Sequence, residues 1–238
     1  MMNKYEIPMG ALDYKKQELH LRVTSPAEVY RLTSCQKEPK TVEWLESFKE
    51  DDIFFDVGAN VGAYSLIAAT KLGSKGKVYA FEPAAPSFSS LVVNVLANKL
   101  VAKIVALPVA FGAKEQLLFV GLKSLEPGQS ASVVGGVSEF AQPFAIIAMD
   151  AFIERYGIPC PTKVKIDVDG SELEVIKGMR KTLANPVLTE VMIEVNDGKV
   201  QERFMIENIF RAHDFKLKAK QALQSSLTGD VWNRLYTR

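Results

Sequence analysis

Asp56, Glu82, Asp167, Asp169 and Glu194, with the turn residues Gly58, Asn60 and Gly62, have the types and spacing to do chemistry. Asp56 stands two residues before Gly58 in Asp-Val-Gly-Ala-Asn-Val-Gly, a G-x-x-x-G turn led by an acid. Glycine lets the backbone approach a ligand closely and adopt dihedrals that a side chain forbids. The helix that follows such a turn offers N–H groups at its N-terminus. Together these read as a cradle for a nucleotide cofactor. Glu82 closes Tyr-Ala-Phe-Glu twenty residues after Gly62, where a carboxylate accepts hydrogen bonds from both hydroxyls of an adenosine ribose. Asp167 and Asp169 fall in Val-Lys-Ile-Asp-Val-Asp-Gly-Ser-Glu, and Glu194 in Met-Ile-Glu-Val-Asn. Carboxylates converging at strand tips raise one another's pKa, which suits a general base or a divalent cation such as Mg²⁺. Asp167 is the expected base. Asp167, Asp169 and Glu194 are the candidate metal ligands, with simple pairing to Lys165 the alternative and a turn role the alternative for Asp169.

The elements that must position these residues alternate. Runs rich in Val, Ile or Phe predict strands at 53–57, 77–82, 103–109, 163–168 and 187–195, and helices fill 61–72, 86–98 and 171–183. That alternation specifies a doubly wound, mostly parallel α/β sheet, whose ligands gather at the carboxyl ends of the strands. Ser171 and Glu174 have capping-box spacing, and Asp150 reads as the cap of a short helix. Span 111–150 breaks the pattern with five glycines and short apolar pieces, and predicts a β-hairpin insertion. A helix at 200–212 precedes a terminal antiparallel pair, 215–219 with 231–236. Residues 1–50 read as an N-terminal extension or lid, with a capped helix start at Ser25-Pro26, and residues 51–238 as the main domain.

Composition narrows the classes. The 238 residues carry 29 basic and 28 acidic side chains, a net charge of +1, which gives no general drive toward nucleic acid or an anionic membrane. Cys35 and Cys160 lack metal-ligand spacing and indicate a reduced, cytoplasmic protein. The amino terminus lacks an apolar signal core, and no run nears the ~18 apolar residues of a membrane span. His20 and His213 fall off the predicted rim, which leaves a histidine base unsupported. Nothing in the sequence bears on oligomeric state.

Phe55 to Ser65 (FDVGANVGAYS), Phe81 to Pro83 (FEP), Lys165 to Glu172 (KIDVDGSE) and a late IEV at 193–195 resemble the FkbM family of S-adenosylmethionine (SAM) dependent methyltransferases. Asn94 and Asn98 also look like that family's helix after FEP. The likeness covers about residues 51–196; the first fifty residues and the tail lie outside it. Asp169 stands where the family usually has Glu, one methylene shorter. The resemblance implies a class I SAM-methyltransferase (Rossmann-like) fold, a seven-stranded sheet with its last strand antiparallel. It implies SAM held by Asp56, Gly58, Asn60 and Gly62 with Glu82 on the ribose, and a small-molecule or sugar hydroxyl as methyl acceptor.

Two rival readings share the cradle. A nicotinamide-dependent oxidoreductase fits the turn and the strand-ending acid, but the Tyr-x-x-x-Lys pair of short-chain dehydrogenases is missing. A non-catalytic SAM-sensing or partner-binding module would keep Glu82 and the glycines and lack an acceptor pocket.

Overall fold

The computed structural model describes residues 7–122, 126–129, 133–134, 140–223 and 230–238. The amino-terminal residues 1–6, on which the expected absence of a signal core falls, lie outside them, as do parts of the 111–150 span. Before the glycine turn come an antiparallel pair, β1 (Met9–Ala11) and β2 (His20–Arg22), and the helices α1 (Pro26–Arg31), α2 (Ser34–Lys37) and α3 (Pro39–Glu46). The expected alternation then runs β3 (Ile53–Val57), α4 (Ala63–Lys71), β4 (Lys77–Phe81), α5 (Ala85–Ala97) and β5 (Ile104–Leu107). The inserted strands are β6 (Ala110–Phe111), β7 (Gln116–Leu122), β8 (Val133–Val134) and β9 (Phe140–Ile147). The chain resumes with α6 (Met149–Tyr156), β10 (Lys163–Ile166), α7 (Glu172–Lys177), α8 (Arg180–Ala184), β11 (Glu190–Asn196), α9 (Val200–Ala212), β12 (Lys216–Ala222) and β13 (Val231–Thr237).

The main sheet has the order β12-β13-β11-β10-β3-β4-β5. β10 pairs in parallel with both β3 and β11, β4 pairs in parallel with β3 and β5, and β13 runs antiparallel between β11 and β12. The order reverses between β3 and β10, so a crevice opens at their carboxyl ends. Successive side chains point to opposite faces. Phe54 therefore meets Trp44 and Phe48 edge-on at 5.8 and 5.1 Å, while Phe55 packs on Phe81 at 5.2 Å on the other side. Among the described residues, no helix is long and apolar enough to cross a membrane.

Some expectations change. The insertion is a four-stranded sheet, β6-β9-β7-β8, with the β7–β9 hairpin at its centre. The helix expected over 171–183 breaks into α7 and α8 around Gly178, where a Cβ would lie 2.0 Å from the Gly112 carbonyl oxygen. Close backbone approach by the insertion thus ends the first helix. Asp150 does cap a helix, but not its own: its carboxylate accepts from the N–H groups of Lys181 and Thr182 at the start of α8. The Ser171–Glu174 capping box does not form. Ser171 makes no side-chain cap bond, and Glu174 pairs with Lys177. The Ser25 cap forms as expected, its hydroxyl accepting from Glu28 N.

The N-terminal segment packs into the main core. Leu12, Leu19, Leu21, Trp44, Leu45 and Phe48 are buried with Phe54, Leu66 and Leu91 in one cluster. Asn94 on α5 and Asn98 at its C-cap dock β2 by imitating a neighbouring strand. Asn98 accepts from His20 N at 2.9 Å and donates to His20 O at 2.7 Å. Asn94, fully buried, accepts from Arg22 N at 2.7 Å and donates to Val61 O at 2.8 Å in the glycine turn. Asn94→Ala removes the partners of the part-buried Arg22 N–H and the buried Val61 C=O, at about 1–3 kcal/mol for the buried one. We expect a clear fall in thermal midpoint and faster proteolysis within residues 7–24; an unchanged midpoint would contradict this docking role.

Candidate functional site

The glycine turn takes its shape from left-handed backbone. Gly58, Asn60 and Gly62 have φ of 84°, 50° and 85°. A Cβ at Gly58 would sit 1.8 Å from the Asp167 carbonyl oxygen, so the turn after β3 and the turn after β10 touch backbone to backbone. A Cβ at Gly62 would sit 2.4 Å from Leu91 Cδ1, so this glycine lets α5 close on the turn. The result is a cradle that side chains would fill, with the N-terminus of α4 opening from it.

Glu82 reaches the cradle. Its Oε2 accepts from Asn60 N and its Oε1 from Ala84 N, both at 2.8 Å. Each oxygen keeps a further lone pair, the arrangement a vicinal diol requires. Burial pushes the Glu82 carboxyl up to about 7, against the two N–H bonds that favour its charge; nearby Asp169 adds to the rise. A diol donates to the ionised form, so a bound ribose must pull this pKa down and release a proton near neutrality. Affinity for a ribose ligand is therefore highest above pH 7 and falls by up to about tenfold per unit below it. Titrations of S-adenosylhomocysteine (SAH) at pH 6 and pH 8 measure the effect; equal affinities would exclude it.

Asp56 lies behind the turn, 1% exposed. Its Oδ2 accepts from Ser65 Oγ at 2.5 Å, while Oδ1 has no hydrogen-bond partner among the described residues. Burial raises its carboxyl above the ordinary value, opposed by Lys165, its ladder partner on β10. Lys165 is itself buried, with Nζ 2.6 Å from Asp167 Oδ2 and 5.0 Å from the Tyr64 ring centroid. Burial opposes the ammonium charge, but Asp167, Glu38 and Asp56 outweigh it and hold the group above its usual value. The Asp167 side chain stays about a quarter exposed. Glu194, on the neighbouring strand, is driven up to about 9 by burial and then by Asp167, Glu172 and Asp169. Both effects favour its neutral form.

Asp169 sits in the turn expected of it, exposed and at φ 54°. Among the described residues, no group of three or more His, Cys, Asp or Glu side chains is arranged to hold a metal ion. Asp167, Asp169 and Glu194 thus form no ligand set, and Asp167 takes the alternative partner, Lys165. The sequence offers Lys165 only as an alternative partner for these acids, not as a buried charge at the centre of the site. Its signal was a lysine inside a strand of Val and Ile, a position where an unpaired charge cannot survive.

Outer segments close on the same place. Asn60 Nδ2 donates to Gln129 O at 2.8 Å, Arg31 Nε to Gly128 O at 2.9 Å, and Ser25 Oγ to Pro127 O at 2.7 Å. Residues 126–129 therefore bridge the glycine turn and α1. Gln142 on β9 accepts from Ala85 N and donates to Pro83 O, tying the second sheet to the exit from β4.

Residues 56–217 match the family described as the methyltransferase FkbM domain. The chain belongs to the FkbM methyltransferase family. It is 32% identical over 179 residues to the hexuronic acid methyltransferase AglP of Haloferax volcanii, covering 74% of this chain and 70% of that protein. It is 27% identical over 201 residues to the 31-O-demethyl-FK506 methyltransferase FkbM of Streptomyces tacrolimicus, covering 71% of this chain and 75% of that one. Among solved structures, the methyltransferase FkbM of Methylobacillus flagellatus KT matches with a TM-score of 0.59 at 15% identity. That match covers 89% of this chain and 52% of the other, so the present chain spans about half its length. Trm5 of Methanocaldococcus jannaschii, in complex with adenosine, matches with a TM-score of 0.51 at 13% identity, over 98% of this chain and 55% of that one. These structural likenesses show the fold, that of the class I SAM methyltransferases. Membership in the FkbM family implies SAM as methyl donor and displaces the nicotinamide alternative.

Proposed function

We propose that this FkbM-family protein transfers a methyl group from SAM to a hydroxyl oxygen on a sugar or other small molecule, with Asp167 as the base. The observation that carries the reading is the backbone contact between Asp167 and Gly58, which sets a part-exposed carboxylate beside the cofactor cradle. Gly58, Asn60 and Gly62 would hold SAM, Glu82 would take its ribose hydroxyls, and Asp56 would brace the turn from behind. SAM supplies an activated methyl group, which leaves the protein to align the acceptor and accept its proton. Lys165 occupies one Asp167 oxygen and leaves the other for the acceptor hydroxyl. Burial and Asp167 favour the neutral form of Glu194 on the next strand, which would then be able to donate to another acceptor oxygen. The activities named for the relatives AglP and FkbM support a sugar or small-molecule acceptor.

The test is incubation with methyl-tritiated SAM and a panel of nitrophenyl glycosides, glucoside and glucuronide among them, beside amine-bearing controls. Label in an ether on the sugar is the expected result. Label confined to amines would overturn the oxygen assignment. SAH binding without transfer to any acceptor would favour the non-catalytic module.

A further inference from the structure

The cradle and the carboxylates beside it differ in how they meet the two forms of the cofactor. In SAM the sulfur is bonded to the ribose 5′ carbon and carries a full positive charge; in SAH the same atom is a neutral thioether. A ribose bound at Glu82 would therefore hold the atom whose charge changes a few bonds from the hydroxyls that Glu82 takes. Acidic groups continue from there. Asp169 acts electrostatically on both Glu82 and Glu194. Asp167 and Glu172 act on Glu194, and Asp56 and Glu38 face Lys165 from β3 and the start of α3. Arg31 acts on Glu82 from α1, and Lys199 lies near Gly170, paired with Glu202. Lys165 is the cation common to Asp56, Asp167 and Glu194, and it is already committed to Asp167 at 2.6 Å.

We propose that the Lys165–Asp167 ion pair sets the preference of this site for the sulfonium of SAM over the thioether of SAH. The inference rests on the reading of the cradle as a SAM site. Asp167 attracts the sulfonium, and Lys165 cancels part of that attraction without touching the neutral product. Both roles serve turnover. An acidic wall favours exchange of SAH for SAM. A wall with no counter-charge would bind the substrate's charge more strongly than that of the transition state, where the charge is dispersing.

Calorimetry with SAM and SAH on the wild type, Asp167→Asn and Lys165→Gln tests it. Wild type should bind SAM at least about threefold more tightly than SAH; Asp167→Asn should bring the ratio toward one, and Lys165→Gln should raise it by about threefold or more. Opposite movement of the two variants is the signature, because a purely structural role weakens both ligands together and leaves the ratio unchanged. Equal ratios in all three proteins, or both variants moving the same way, would overturn the inference. Should Lys165→Gln fail to fold, sinefungin, which carries an amine in place of the methylsulfonium, gives the second measurement. It should share the SAM preference in the wild type and lose it in Asp167→Asn; no change would again overturn the proposal. If folded wild type binds none of these ligands, the SAM reading itself falls; if it binds SAM and SAH equally, only the present inference does.

Discussion

Asp167→Asn should lower methyl transfer by about 10²–10⁴-fold while SAH affinity stays within about threefold. The substitution keeps the size and most of the polarity of the side chain, so the turn after β10 retains its backbone bond from Asp167 N to Val57 O. What it removes is a group able to accept a proton. The cradle is built from Gly58, Asn60, Gly62 and Glu82, none of which depends on the Asp167 carboxylate. Equal loss of turnover and SAH binding would show that Asp167 supports the cradle and would remove it as base. Unchanged turnover would assign the proton to another group.

Gly58→Ala should destabilise the protein by more than about 3 kcal/mol, near the upper end for a single substitution. The left-handed φ of 84° costs an alanine about 1–2 kcal/mol by itself. The added Cβ would then meet the Asp167 carbonyl oxygen at 1.8 Å, a backbone atom that no rotamer change can move aside. Relief requires the turns after β3 and β10 to separate, which would move Asp167 away from the glycine turn. A drop in thermal midpoint of about 10 °C, with SAH binding lost in whatever fraction stays folded, is the expected outcome. A midpoint within a degree or two of wild type would mean that the two turns are not in contact.

Much of this architecture was legible because local signals agreed. The β3 run at 53–57 and the helix at 200–212 follow from periodicity and β-branched content and are placed as read, and the antiparallel tail pair forms with its first strand running on to Ala222. The acids expected at the strand tips are there, with Glu82 meeting Asn60 and Asp167 backing onto Gly58. What sequence could not supply was contact across the fold. The break between α7 and α8 depends on Gly112, 66 positions before Gly178. The reach of Asp150 to α8 and of Asn94 and Asn98 to β2 likewise joins segments far apart in the chain. The second sheet was underestimated because β6 is short and gains its partner only when β9 returns beside it. Burial hid the role of Lys165, since its environment is made by Asp56, Glu38 and Tyr64 from three other elements.

The central claim is that the cradle of Gly58, Asn60, Gly62 and Glu82 holds SAM, and calorimetric titration with SAH tests it most directly. Parallel titrations would use NAD⁺ and a Glu82→Ala variant. The account predicts micromolar SAH binding to the wild type, weakened by at least about tenfold in Glu82→Ala through loss of the two ribose hydrogen bonds, and no binding of NAD⁺. Folded wild type that ignores SAH, or a Glu82→Ala variant that binds it as tightly as wild type, would contradict the account.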